Sequence, residues 1–483
     1  MLNYIITVVS IPIILLSSLS TREAYARSIV LIGGNLKDIK SANESSAAIY
    51  QKIIELSEDP EEAKVGILTT ASISKAVAQE KAEKYTANFN DIGVTEVEWI
   101  PFHIENCTSE KNNQAIADLI RTKTVLFFGG GLTSSSLECF FEQRADGQFE
   151  ESLITQTIRH AYDNGTVIAG NSAGAMMQTS SPLIERGESY QALVSGALAS
   201  DSQRSQGEAI SSTDSSTDRQ QLLRAAMSLQ YSQKGGLGFF PYGPIDTHFS
   251  ERGRQGSLIR FSSDTRQPLS FGIDENTALI VINSGTPDAV MSVVGDGGVS
   301  IFDLRQSKIA WVNGFWSTDD VKMSYLTQGD LFEVEDENIK FASWKTPFAE
   351  RHQSEESMIP SINIFSSLEP ALRRVMSLLM FRNSANTVRS ILSDRPDARE
   401  FIATAFSLFK SSKTSISGRT FESDPVTYRV TLSKDVSQGS QGLVGTNRLG
   451  EEIISFQNLI IQITPEIDAN RSNSSLTRSW YKK

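Results

Sequence analysis

Cysteine and histidine are scarce in this 483-residue chain, with two of the first and four of the second, and both scarcities narrow its chemistry. Cys107 and Cys139 show no metal-ligand spacing and allow one disulfide at most. Positive charge is short as well. Lys and Arg number 45 against 57 Asp and Glu, a formal net charge of −12, so there is no general basic field for nucleic acid or anionic lipid. No nucleic-acid partner is expected. No stretch beyond the N-terminus is long and apolar enough to span a bilayer, and no internal repeat is present. No metal or cofactor is expected.

The N-terminus carries its own message. IITVVSIPIILLSSL, from Ile5 to Leu19, is apolar but shorter than the ~20 residues a bilayer span requires. STREAYA follows, and Ala24-Tyr25-Ala26 has the small-x-small pattern of a signal-peptidase site. MLNY contributes no Lys or Arg, which leaves an uncleaved anchor as the alternative. Residues 1–26 are therefore expected to be a signal peptide, with export to a periplasmic or extracellular location and no stable membrane span after cleavage.

From Arg27 onward strands and helices alternate. SIVLIGG, KVGILTTAS and TVLFFGGG read as buried strands running into loops, while SAAIYQKIIEL, SKAVAQEKAEKYTANFNDIG, NQAIADLIRT and ESLITQTIRHAYDNG have helical spacing. Such alternation predicts an α/β fold, a parallel sheet with helices on both faces and its site at the strands' carboxyl edge. The Ser-, Asp- and Gln-rich stretch at about 199–221 reads as a flexible surface insertion. Past residue 335 the alternation is lost. SLEPALRRVMSLLMF, ANTVRSIL and DAREFIATAFSLFK have amphipathic helical spacing, and TYRVTLS and SFQNLIIQITPEI read as strands. The expected organisation is a main α/β domain over 27–335 and a smaller C-terminal α+β domain over 336–483.

TVIAGNSAGAMMQ raises the question of chemistry. Gly170, Ser172 and Gly174 form Gly-x-Ser-x-Gly, with Ala173 and Ala175 keeping the following turn slim. A nucleophilic hydroxyl needs such small neighbours, because its backbone must turn sharply between strand and helix. A tight structural turn is the competing explanation. Four histidines are available as a base. His160 sits within a helix, His103 at a strand end without partners, and His352 in polar AERHQSEES. His248, in PYGPIDTHFSERGRQG beside Asp246, Arg252 and Arg254, is the best candidate. FGIDENTALIVI supplies Asp274 and Glu275, and Glu275 is chosen as the carboxylate that orients the imidazole. Asp246, which shares the histidine's face in an extended segment, and Glu185 and Glu188 remain rivals. The oxyanion hole is expected from the Ala173 amide and from Gly130 or Gly131 in FFGGGLTSS.

IAGNSAGA, DTHFSERGRQG and GIDENTALIV, in that order, resemble the cyanophycinase branch of the serine peptidases that includes the aspartyl dipeptidases; RSIVLIGG and FFGGG match as well. The resemblance covers roughly Arg27 to Glu335. It implies a class I glutamine-amidotransferase-like α/β fold, a homodimer, and hydrolysis beside aspartyl residues, cyanophycinases cutting an arginine-decorated polyaspartate. It also implies Ser172 as nucleophile, His248 as base, Glu275 as its partner, and Asp246, Arg252 and Arg254 in the substrate pocket. The expected substrate is an aspartyl peptide or a cyanophycin-like polymer.

Several positions depart from that pattern. Leu132 and Thr133 stand where cyanophycinases carry an acidic residue and glutamine, Thr247 where they have glutamine, and Ser257 where they have a third arginine. Thr133 and Thr247 thus join the substrate-binding set in altered form. Two other readings stay open: a non-catalytic exported binding protein on the same fold, and an α/β-hydrolase-like esterase, whose Ser–acid–His order would require His352.

Overall fold

In IVLI, alternate side chains of a four-residue strand fall into two separate cores. Ile29 and Leu31 join one, Val30 and Ile32 the other, and all four are fully buried. The computed structural model describes residues 27–41, 44–144, 149–200 and 228–347, with 400–405, 414–416, 419–421, 426–447 and 450–467 from the C-terminal part. The expected signal peptide, residues 201–221 of the Ser-rich stretch, His352, and the expected helices in SLEPALRRVMSLLMF and ANTVRSIL lie outside the described residues.

The strands that matter here are β1 (Ile29–Ile32), β2 (Lys64–Leu68), β3 (Glu96–Trp99), β4 (Val125–Phe128), β5 (Val167–Asn171), β6 (Ile245–Thr247), β7 (Leu269–Ile273), β8 (Thr277–Ile282), β9 (Val290–Gly295), β10 (Gly298–Asp303), β11 (Phe315–Thr327), β12 (Leu331–Glu333), β13 (Asn338–Lys340), β14 (Glu400–Ala405), β15 (Val426–Lys434) and β16 (Glu452–Ile467). The helices are α1 (Glu44–Glu55), α2 (Lys75–Asp91), α3 (Cys107–Glu110), α4 (Gln114–Arg121), α5 (Thr133–Phe140), α6 (Leu153–Asp163), α7 (Ala173–Met176), α8 (Ser189–Ser195) and α9 (Gln255–Asp264).

β3, β2, β4, β5 and β1 lie side by side in that order, all parallel. β8, β9, β12 and β13 extend the sheet from β1 with antiparallel pairing. The inner strands carry almost unbroken apolar runs because both faces are covered. On one face α1 and α2 bring Ile49, Tyr50, Ile53, Tyr85 and Phe89 against Val30, Ile32 and Phe127. On the other, Ile116 and Ile120 of α4 and Ile154, Ile158 and Tyr162 of α6 meet Ile29, Leu126 and Ile168. The helices begin and end on ordinary cues. Ser74 caps α2 by accepting from Val77 N at 3.3 Å, Asn113 caps α4, and Gly93 follows α2 at φ 99°.

A second sheet runs β6, β7, β10, β11, β16, β15, β14. Here the structure departs from the spacing. DAREFIATAFSLFK reads as a helix, yet its described part is β14, paired with β15 from Glu400↔Ser433 to Ala405↔Tyr428. A short apolar run fits either period, and the available edge of β15 gives this one a ladder. The strands expected in TYRVTLS and SFQNLIIQITPEI do form, as parts of β15 and β16. They share a sheet with the preceding chain: β16 pairs β11 with Thr318 opposite Ile463 and Tyr325 opposite Phe456. Tyr190 and Tyr428 add cross-links, donating to the carbonyls of Val426 at 2.6 Å and Leu193 at 2.9 Å. Behind β11, fully buried Lys345 pairs with fully buried Asp330 at 2.7 Å and donates to Thr327 and to Ser455 of β16, each at 2.9 Å.

Candidate active site

A sharp backbone turn lies where β5 meets α7. Ser172 adopts φ 55° and ψ −120°, a left-handed conformation that costs energy for any residue with a side chain, and its N–H is tied to the Ile32 carbonyl at 2.8 Å. The glycines on either side answer to sterics. A Cβ on Gly170 would sit 2.3 Å from the Gly174 carbonyl oxygen, and one on Gly174 would sit 2.2 Å from that of Phe128. The helix can follow the strand this closely only because both positions lack a side chain.

Ser172 Oγ lies 2.8 Å from His248 Nε2, and His248 Nδ1 lies 2.6 Å from Glu275 Oε1. The imidazole reaches that position from the end of β6, where His248 adopts φ 51° and its backbone N–H donates to the Gly33 carbonyl at 2.7 Å. Gly34 makes room for the ring: a Cβ there would fall 2.2 Å from His248 Cε1. Glu275 stands in the tight turn between β7 and β8. Its second oxygen accepts from Asn35 Nδ2 at 2.7 Å, and its own N–H reaches Glu251 at 3.2 Å. Nothing in the sequence marked Asn35. The only available cue was its position directly after the glycine pair that ends β1.

With side chains 13% and 24% exposed, His248 and Glu275 can be reached from solvent. Burial pushes the His248 imidazole below its ordinary pKa; the Glu275 hydrogen bond works the other way, and Arg252 adds to the lowering. Burial works to raise the Glu275 carboxyl, but hydrogen bonds from His248 and Asn35 hold it below its usual value. Together these favour a neutral imidazole poised between a hydroxyl and an anion. Such an arrangement can draw the proton from Ser172 as the oxygen attacks an acyl carbon.

The carboxylate on the imidazole is that of Glu275, and the other candidates have different surroundings. Asp246 is buried, accepting from Thr247 N at 2.8 Å and from the Arg254 guanidinium. Asp274 is buried between Ser250 N and the Tyr325 hydroxyl. Glu185 accepts from the Ser200 hydroxyl at 3.2 Å, and Glu188 precedes α8 with its pKa raised by burial. His103 stacks on Trp99, and His160 contacts Asn164.

The remaining candidates divide. Thr247 is buried with its hydroxyl on the Met176 sulfur at 3.3 Å, and Thr133, also buried, opens α5. Arg254 is committed to Asp246. Arg252 is exposed, and among the described residues no carboxylate lies within ion-pair distance of it. At the loop after β4, a Cβ built on Gly130 would approach Ser172 Cβ to 3.0 Å, and Gly130 N donates to the Tyr85 hydroxyl at 3.4 Å. Among the described residues, the N–H groups of Gly131 and Ala173 have no protein acceptor. That favours Gly131 over Gly130 as the second donor facing an oxyanion. Immediately beyond, Cys139 of α5 is bonded to Cys107 of α3.

Known proteins bear on this geometry. Residues 29–193 match the model of peptidase family S51. The cyanophycinases of Synechococcus elongatus and Thermosynechococcus vestitus are each 23% identical over 258 residues, 52% of this chain and 65% of theirs, so under two thirds of those relatives is matched. A crystal structure of a peptidase from an acI-B1 Actinobacterium superposes with a TM-score of 0.39 at 17% identity, covering 64% of this chain and 96% of that one. The chain thus resembles the cyanophycinase-like peptidases of family S51, and the Ser172 turn lies inside the matched segment.

Proposed function

We propose that the chain is a serine peptidase of cyanophycinase type that hydrolyses aspartyl-linked peptides through an acyl-enzyme on Ser172. One observation carries the reading: the unbroken relay from Ser172 Oγ to His248 at 2.8 Å and on to Glu275 at 2.6 Å. Ser172 attacks the peptide carbonyl while His248 takes its proton. The oxyanion meets the amides of Gly131 and Ala173. The imidazolium then returns its proton to the leaving amine, and water, activated in the same way, releases the acid. Glu275, fixed by Asn35, holds the ring's tautomer and steadies its charge.

Arg252, with no ion-pair partner among the described residues, is the group best suited to fork onto a substrate carboxylate. Arg254 supports the same pocket by anchoring Asp246. The class I glutamine-amidotransferase-like arrangement, a homodimer, export behind a signal peptide, and a C-terminal unit over 336–483 belong to the same proposal. The Cys107–Cys139 bridge supports export, because such bonds persist in oxidising compartments.

The test is product analysis by mass spectrometry on arginine-decorated polyaspartate and on α- and β-aspartyl peptides. Cleavage next to aspartyl residues is expected for the wild type. Ser172→Ala should lose it by at least about 1,000-fold while keeping the wild-type unfolding midpoint. Turnover unchanged in that variant would refute the nucleophile.

A further inference from the structure

Two side chains of α2 reach the loop beside Ser172 from the same helical face. Lys81 and Tyr85 are four residues apart, so they stand one above the other. The Tyr85 hydroxyl accepts from Gly130 N at 3.4 Å and from Asn171 Nδ2 at 3.1 Å. Lys81 Nζ donates to the Gly130 carbonyl at 2.8 Å. Both backbone groups of Gly130 are therefore held from one helix, and the same tyrosine holds the residue that precedes the nucleophile.

The position of Lys81 is unusual for a lysine. It is half-buried, and among the described residues no carboxylate lies within ion-pair distance, so its ammonium spends its contact on a backbone carbonyl. Covalent geometry gives that contact a direction. Gly130 and Gly131 share one planar trans peptide, in which C=O and N–H point opposite ways. Fixing the Gly130 oxygen on Lys81 therefore fixes the Gly131 N–H in the opposite direction within the same plane. A positive charge on the carbonyl also polarises the peptide unit and makes its N–H a stronger donor. Glycine at 131 cannot be replaced to gain the same rigidity, because a Cβ there would lie 1.8 Å from the Ala71 carbonyl oxygen.

We propose that Lys81 is a positioning residue for oxyanion stabilisation: by holding the Gly130 carbonyl it aims and strengthens the Gly131 N–H, while Tyr85 fixes the other end of the same glycine. The proposal rests on the reading of Ser172 as nucleophile. It also gives α2 a part in the rate of reaction through the Gly130 loop.

The experiment compares wild type, Lys81→Met and Lys81→Arg in the full chain by two readouts: kcat and KM on an aspartyl peptide, and the rate at which a fluorophosphonate labels Ser172, which needs no knowledge of the substrate. Lys81→Met is expected to lower kcat and the labelling rate together by about 10-fold, with KM within about twofold and the unfolding midpoint unchanged. Lys81→Arg, which keeps a cationic donor, is expected to recover most of the loss. Wild-type rates in Lys81→Met, an Arg variant as slow as the Met variant, or losses that simply track the unfolding midpoint would each overturn the proposal. If labelling is equal in wild type and Lys81→Met, the inference falls and the nucleophile stands. If the wild type is neither labelled at Ser172 nor active, both fall together.

Discussion

Between Glu275 and Asn35 a single hydrogen bond decides how well the imidazole is aimed. Asn35→Ala should leave Ser172, His248 and Glu275 in the chain but free the carboxylate to swing, and a misplacement of about 1 Å costs roughly 10- to 100-fold in kcat. Steady-state kinetics with circular dichroism as a folding control would check this. The pH profile belongs to the same scale. Only neutral His248 can accept the serine proton, and burial disfavours its charged form, so the acid limb of kcat/KM should lie below the ordinary histidine value of about 6.5. A limb at or above that value would contradict the shift. The sequence offered Ser172 through its small neighbours, His248 through the scarcity of rivals and the charges around it, and Glu275 through its place at a strand start. Asn35 stayed hidden because its role comes from two loops, at residues 35 and 275, that meet only when β1 pairs β8. The resemblance places Arg254 and Asp246 in the substrate pocket, and in the structure their side chains are paired with each other.

Among elements, α5 has the most to lose. It starts directly after the glycine loop and is held to α3 by Cys107–Cys139, a link between positions 32 residues apart. Replacing both cysteines by serine should cost about 3 kcal/mol in unfolding free energy, measured by denaturant titration. The loss should disappear when wild type is unfolded under reducing conditions, since both proteins then lack the bridge. Strands and helices of the parallel half were legible because apolar runs and helical spacing both reported burial on a two-faced sheet. DAREFIATAFSLFK was not, because its apolar spacing fits a helix as well as a strand and its partner β15 lies beyond it in the chain.

At the scale of the whole molecule, the C-terminal strands are fastened to the rest by charge as well as by ladder. Lys345 and Asp330 are fully buried, and Ser455 of β16 completes their hydrogen bonding. Burial lowers the Lys345 pKa, with Asp330 opposing. Lys345→Met would strand the aspartate without a counter-charge and should cost about 3–5 kcal/mol, while adding Asp330→Leu should restore much of it. Chemical denaturation of the single and double variants distinguishes this from a general loss of packing.

The pairing of β1 with β8 also sets a timetable. Ile32 finds Ala278 opposite it only after more than half of the chain has been synthesised, and at ordinary elongation rates that is a wait on the order of ten seconds or more. Until then the strand that carries the first glycine pair has an open edge, and the hydroxyl, the imidazole and the carboxylate belong to a nascent chain with no finished sheet. A sheet that closes this late brings the three side chains together only once β8 has arrived.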